Sequence, residues 1–204
     1  MIKEGKLRYI AINNTWFIIL SGDVRLSIVP SLEILIKQAL DIPNTRIVVD
    51  VSQADNLDSS SLGALVKITE RSSLTHIPRP IMLTWEDLDE MLRSIRFDLL
   101  FDLIKISDDK VTVDTYNDAA ANISEEELKN LYQSIQNELK SVPTAVVSDL
   151  DMRTLLLESH KRLCTIDAKT QVIFQPVVDA IEAEFRVKVD QVSNSHTFSS
   201  SALY

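Results

Sequence analysis

Arg46-Ile47-Val48-Val49-Asp50-Val51, followed after a short polar spacer by Asn56-Leu57-Asp58-Ser59-Ser60-Ser61-Leu62-Gly63-Ala64-Leu65, reads as a strand handing over to a helix. The first run is rich in β-branched residues with almost no alternation, the pattern of a strand buried on both faces. In the second, Leu62, Leu65, Val66 and Thr69 recur at helical spacing, which predicts a helix over 59–72 with Asp58 and Ser59 at its first turn. A serine there serves as a cap for free backbone amides or as a phosphate acceptor, because a phosphate would meet those amides and the positive end of the helix dipole. Spacing leaves both roles open.

Upstream, the runs Leu7 to Ile12 and Thr15 to Ser21 flank Asn13-Asn14 and predict a hairpin, since asparagine tolerates the positive φ of a tight turn. Pro30 precedes a helix whose face is Leu32, Leu35, Ile36 and Ala39, stopped by Pro43 and Asn44. Downstream come a turn at Pro78 and Pro80, a short strand Ile81 to Thr84, a helix opened by Asp87 with Leu88, Met91, Leu92 and Ile95 on one face, and a last strand Leu103 to Ile106. Strands alternating with helices predict an α/β fold, a mixed β-sheet with helices packed on it.

After about residue 118 the pattern is helical alone. Ser124-Glu125-Glu126-Glu127 is a serine cap with a glutamate three residues on, and Leu128, Leu131, Tyr132, Ile135 and Leu139 make one apolar stripe. A break at Ser141-Val142-Pro143-Thr144 precedes one further helical stretch from Asp149 to Val187, with Met152, Leu155, Leu156 and Leu163 and then Phe174, Val177, Val178, Ile181 and Phe185 as its stripes. Pro176 is expected to kink or interrupt it unless it falls near a helix start. The divisions are therefore a sheet domain over 1–118, a helix and linker over 119–147, a helical segment over 148–189, and a flexible serine-rich tail over 190–204.

Composition narrows the function classes. A net charge of −9 lacks the basic footprint of a nucleic-acid binder. Three glycines, Gly5, Gly22 and Gly63, cannot write a dinucleotide or Walker loop, and three histidines at 76, 160 and 196 do not make a conventional zinc site. The acidic pairs Asp108-Asp109 and Asp149 with Asp151 read as solvated turns and caps rather than metal ligands. The single cysteine, Cys164, argues against a disulfide framework and fits a reducing compartment; His160, one turn away, reads with it as packing and surface. No window approaches the roughly 18 apolar residues of a bilayer span. The expectation is a cytoplasmic protein that is not an enzyme and needs no cofactor.

Asp50-Val51-Ser52 through Asp58-Ser59-Ser60-Ser61-Leu62-Gly63 resembles the signature of the STAS family, the sulfate transporter and anti-sigma factor antagonist domains. Ser21-Gly22-Asp23-Val24, Pro30-Ser31-Leu32 and Phe97-Asp98-Leu99-Leu100-Phe101 fall in the family's order, so the resemblance covers about residues 5–118; Ser61 stands where many members have glycine. The segment from Leu157-Glu158-Ser159-His160 through Ala180-Ile181-Glu182 is similar to the helical tail of some bacterial anti-anti-sigma proteins. The resemblance implies a STAS-like fold with an all-helical C-terminal extension and phosphorylation at Ser59, with Ser60 and Ser61 as alternative acceptors. It further implies a partner-binding face including Asp23, Asp58, Ser59, Ser60 and Leu62. Unmodified, that face would hold an anti-sigma factor or switch kinase and release it on phosphorylation. A serine kinase and a metal-dependent serine phosphatase would be the partners, with ATP and metal belonging to them. The apolar stripes of the C-terminal helices read as packing, onto the sheet domain or into a helical hairpin, with partner contact or self-association as the other reading. The alternative is a constitutive scaffold or adaptor subunit without a phospho-switch, and a nucleotide sensor is a third reading. For Asp58 itself, a charge that orients Ser59 and a turn residue with an Asx-type bond stand side by side.

Overall fold

The computed structural model describes residues 3–70, 79–107, 110–113, 130, 134–135 and 138–197 of the 204-residue chain. Among the described residues seven strands form one mixed sheet: β1 (Lys6–Ile12), β2 (Thr15–Val24), β3 (Arg46–Leu57), β4 (Ile81–Thr84), β5 (Asp102–Ser107), β6 (Lys110–Val113) and β7 (Lys140–Ser141), in the spatial order β6-β5-β4-β3-β2-β1-β7. Strands β2 to β5 run parallel, while β1, β6 and β7 pair antiparallel at the edges. The hairpin joining β1 to β2 turns at Asn13 and Asn14, both left-handed with φ of 47° and 62°, the conformation two-residue hairpins demand.

Helices α1 (Val29–Leu40), α2 (Ser59–Glu70) and α3 (Glu86–Ser94) cross between successive parallel strands. The strands are laid down in one direction across the sheet, and crossovers of constant hand then put all three helices on one face. There Leu32, Ile36, Leu65, Ile68, Leu88 and Leu92 meet Ile18, Leu20, Val49, Val51 and Met82 in the main core. The opposite face carries Phe17, Val48, Ile81, Leu83 and Ile104, covered by the fully buried Ile135 and by Leu139. Burial on both faces is what the unalternating run at 46–51 predicts.

Several boundaries differ from expectation. Strand β3 continues through the mostly polar stretch Ser52 to Leu57, whose Ala54 and Leu57 enter the main core, rather than ending at Val51, because β2 offers its edge as far as Val24, with register shifts between Ile19 and Ser21 and between Gly22 and Asp23. Leu103 to Ile106 is not the last strand: β6 follows it, and Lys140–Ser141, within the segment expected as helix and linker, pairs with Tyr9 and Arg8 of β1. The helical stretch from Asp149 is two helices, α4 (Asp149–Cys164) and α5 (Ala168–Thr197). They part at Thr165 to Asp167, where the Asp167 carboxylate accepts the Thr170 N–H at 2.8 Å and starts a new helix. Helix α5 passes through Pro176 and extends to Thr197, beyond the expected start of the tail. The predicted turn at Pro78, the acidic pair Asp108-Asp109, the stretch Ser124 to Leu128, Leu131 and Tyr132, and residues 198–204 lie outside the described residues. Among the described residues no helix is long and apolar enough to cross a membrane.

Candidate functional site

The end of β3 and the start of α2 are fixed by Asp58. Its backbone carbonyl accepts the Leu62 N–H at 3.0 Å, its Oδ1 accepts the Ser61 N–H at 2.8 Å, and its Oδ2 accepts the Leu26 N–H at 2.8 Å. Asp58 is thus the N-cap of α2 and ties that helix to the turn after β2. Both carboxylate oxygens carry a main-chain bond, which is the Asx-type arrangement of the two readings. Ser59 is the first helical residue and is not the cap; its hydroxyl is left for another partner.

That partner is His160 on α4. Ser59 Oγ and His160 Nε2 are 2.9 Å apart, and His160 Nδ1 lies 2.8 Å from the Leu156 carbonyl oxygen. A carbonyl only accepts, so Nδ1 carries the proton and, in the neutral ring, Nε2 accepts from the Ser59 hydroxyl. Of the expectation that His160 belongs to packing and surface, the packing holds and the surface does not: it is buried, 4% exposed, with its ring against Phe174 edge-on at 6.4 Å, and it adds a contact to Ser59 that was not expected. An imidazole accepting from a serine is also the arrangement that activates nucleophiles, but here the third group is a main-chain carbonyl rather than a carboxylate. Two clefts of about 240 and 350 Å³ lie elsewhere, between β1, α1 and residues 141–145, and neither is lined by Ser59 or His160.

The other expected site residues divide into two groups. Asp23 lies beside the cluster: its Oδ1 accepts Asn56 Nδ2 at 3.2 Å and its Oδ2 accepts Arg25 Nε at 2.5 Å. The Arg25 bond, joined by that of Asn56, holds the Asp23 carboxyl below its usual range against a smaller effect of desolvation. Asp23, Asp58 and Ser59 are therefore brought together at one end of the β2–β3 pair. Ser60, Ser61 and Leu62 are instead buried at 4%, 0% and 4% exposure, with Leu62 in the main core and Ser61 Oγ without a hydrogen-bond partner.

What covers this end is α4. A Cβ at Gly63 would lie 2.1 Å from the Ser159 carbonyl oxygen, so glycine is what lets the two helix backbones meet. Nearby, Glu33 of α1 is 7% exposed and accepts from both Lys67 of α2 and Arg162 of α4; Arg162 Nε also lies 3.4 Å from Glu70. At the α4–α5 turn Asp167 pairs with Arg96 at 3.5 Å. Cys164, at the end of α4, is partly buried, and burial, with Asp179 adding to it, raises its thiol above the ordinary value, which disfavours a reactive thiolate. At the start of α4, Ser148 caps the Asp151 N–H and donates to its carboxylate, and Asp149 pairs with Arg153, so this acidic pair is engaged in helix-start contacts.

Sequence reasoning found the strand-to-helix serine and missed the histidine facing it. The signal was Gly63: a glycine inside a helix costs about 1 kcal/mol relative to alanine, and close approach of a second backbone is one reason to keep it. No model of a known protein family matches the chain, and no curated protein sequence matches it.

Proposed function

We propose that the chain is a cytoplasmic anti-sigma factor antagonist of the STAS type, of the bacterial branch with a helical C-terminal extension, whose partner exchange is set at Ser59. The unmodified α2 face holds an anti-sigma factor or switch kinase, and phosphorylation releases it. The protein itself is a substrate rather than a catalyst. In the kinase, the Ser59 Oγ–P bond forms as the bond from the γ-phosphorus of ATP to the bridging oxygen of the departing ADP breaks, and the hydroxyl proton passes to the kinase's base. A metal-dependent phosphatase uses water to restore the hydroxyl and release inorganic phosphate.

The observation that carries this reading is the placement of Ser59 as the first residue of α2, with its hydroxyl not spent on capping because Asp58 caps instead. A phosphate there adds about −1.5 to −2 charges, which the helix dipole tolerates within the protein but which a close interface does not. A penalty of about 3 kcal/mol changes affinity by about two decades, enough for a switch. Asp23, Arg25, Asn56 and Asp58 form the polar surroundings that a partner would read.

Intact-mass and peptide mass spectrometry of the protein from its native cells, with pull-downs of wild type, Ser59→Ala and Ser59→Glu, tests it. Phosphate on Ser59 with a partner kept by alanine and lost by glutamate is the expected outcome; no phosphate and identical partners for all three overturns the switch. The second reading, a constitutive STAS scaffold or adaptor, is favoured by the engagement of Ser59 with His160, which withdraws the hydroxyl from modification.

A further inference from the structure

The α2 face assigned to docking already carries a helix. Helix α4 crosses over the middle of α2, with Ser159 on Gly63, His160 reaching to Ser59 at its start and Arg162 to Glu70 at its end. Of the three residues of α4 that are buried, Ser159, His160 and Leu163, two are polar, and Ser159 Oγ has no hydrogen-bond partner. The contact is therefore close in backbone distance and joins apolar packing, with Leu163 in the main core and Leu155 and Phe174 against it, to hydrogen bonds and an ion-pair cluster around Glu33. Such a contact is held by specific polar geometry, and phosphorylation at its centre removes the hydroxyl proton that Nε2 accepts and adds bulk where the two helices meet.

We infer that α4 is a cis competitor for the α2 face: unmodified Ser59 holds it closed through His160, an external partner gains α2 only by displacing it, and a phosphate on Ser59 excludes it. This rests on the phospho-switch reading of Ser59 and adds a gate to it. With Oγ and Nε2 at hydrogen-bond distance there is no space between them for a phosphorus and three oxygens, so in this serine rotamer α4 has to withdraw for the Oγ–P bond to form. The same geometry states what an external occupant looks like: a helix with a small residue over Gly63, an acceptor for the Ser59 hydroxyl, and a guanidinium in reach of Glu33 and Glu70.

The test is amide hydrogen exchange by mass spectrometry on the full chain in four forms: wild type, Gly63→Ala, Arg162→Glu, and protein carrying phosphoserine at position 59, installed during translation. Gly63→Ala opens the contact from the α2 side while improving α2 as a helix; Arg162→Glu opens it from the α4 side and leaves Glu33 paired with Lys67. Peptides from 59–63 and 156–163 are expected to exchange at least tenfold faster in all three altered forms, with β2 and β3 peptides unchanged. Should Gly63→Ala also lose protection in β2 and β3, Arg162→Glu and the phosphoserine form decide alone. Equal or slower exchange in the phosphoserine form overturns the inference, as does unchanged exchange in Arg162→Glu. Loss of the partner on phosphorylation with α4 still protected would sink the cis competitor and leave the switch standing. Phosphate that frees α4 while the pull-downs of wild type, alanine and glutamate forms stay identical would sink the switch and leave the competitor.

Discussion

The sheet with its three crossover helices and the α4–α5 pair are held by different chemistry. Around the parallel strands, Ile18, Leu20, Val49, Val51, Leu65 and Met82 are fully buried and apolar. Where α4 meets α2 the buried set is Ser159, His160 and Leu163, joined by the Glu33, Lys67 and Arg162 cluster. Apolar burial is worth about 25 cal/mol per Å² and offers no chemical handle, whereas a hydrogen bond between neutral groups can be undone by one change of charge. The difference separates a permanent body from a cover that is able to leave.

The largest expected effect tests the body. Leu65→Ala empties a fully buried position on the inward face of α2 and is expected to cost about 2–5 kcal/mol, read as a lower urea midpoint with Trp16 and Trp85 as reporters. A cost below about 1 kcal/mol would mean that the body is not packed as described. Leu163→Ala sharpens the contrast, since Leu163 is the apolar plug of α4. It is expected to expose 149–186 to limited proteolysis while moving the urea midpoint less than half as far as Leu65→Ala. Equal shifts for the two variants would erase the distinction between body and cover.

Asp58→Ala removes the cap on Ser61 N–H and the tie to Leu26, an expected loss of about 1–2 kcal/mol in the same unfolding measurement. No loss would show that the α2 start is held from elsewhere. The smallest effect concerns Asp167, whose carboxyl is held below its ordinary 3.8 first by the Thr170 N–H, with desolvation opposing and Thr170 Oγ1 and Arg96 assisting. A depressed folded value means stability that is present above pH about 4 and is lost as the pH falls through the folded value. The thermal-midpoint gap between wild type and Asp167→Asn should therefore be full at neutral pH and close in strong acid. A gap that is constant with pH would remove the charge from the account.

Local chemistry made much of the α/β body legible. The Asn13-Asn14 turn, Pro30 at the start of α1 and the β-branched run at 46–51 each act within a few residues, and the structure places hairpin, helix and central strand accordingly. The extension of β3 through Ser52 to Leu57 was hidden because its polar residues follow the available edge of β2, not their own propensity. The break between α4 and α5 was hidden because Thr165 to Asp167 contains neither glycine nor proline, and its cap works through Thr170. At the site, Ser59 was readable from its place after Asp58. Its contact with His160 was not, since nothing local to either residue specifies a partner so far along the chain.

The 101 positions that separate Ser59 from His160 are also an interval of time. At a synthesis rate of about 5–20 residues per second, a ribosome needs about 5–20 s to travel from one to the other. During that interval the newborn chain can close β2 on β3 and wind α2, because those contacts are already available, while the histidine that will cover the serine has not yet been made. Under the proposed switch, Ser59 is thus most open to the kinase before the molecule is complete, and each copy would carry from birth a brief period in which its state can be set.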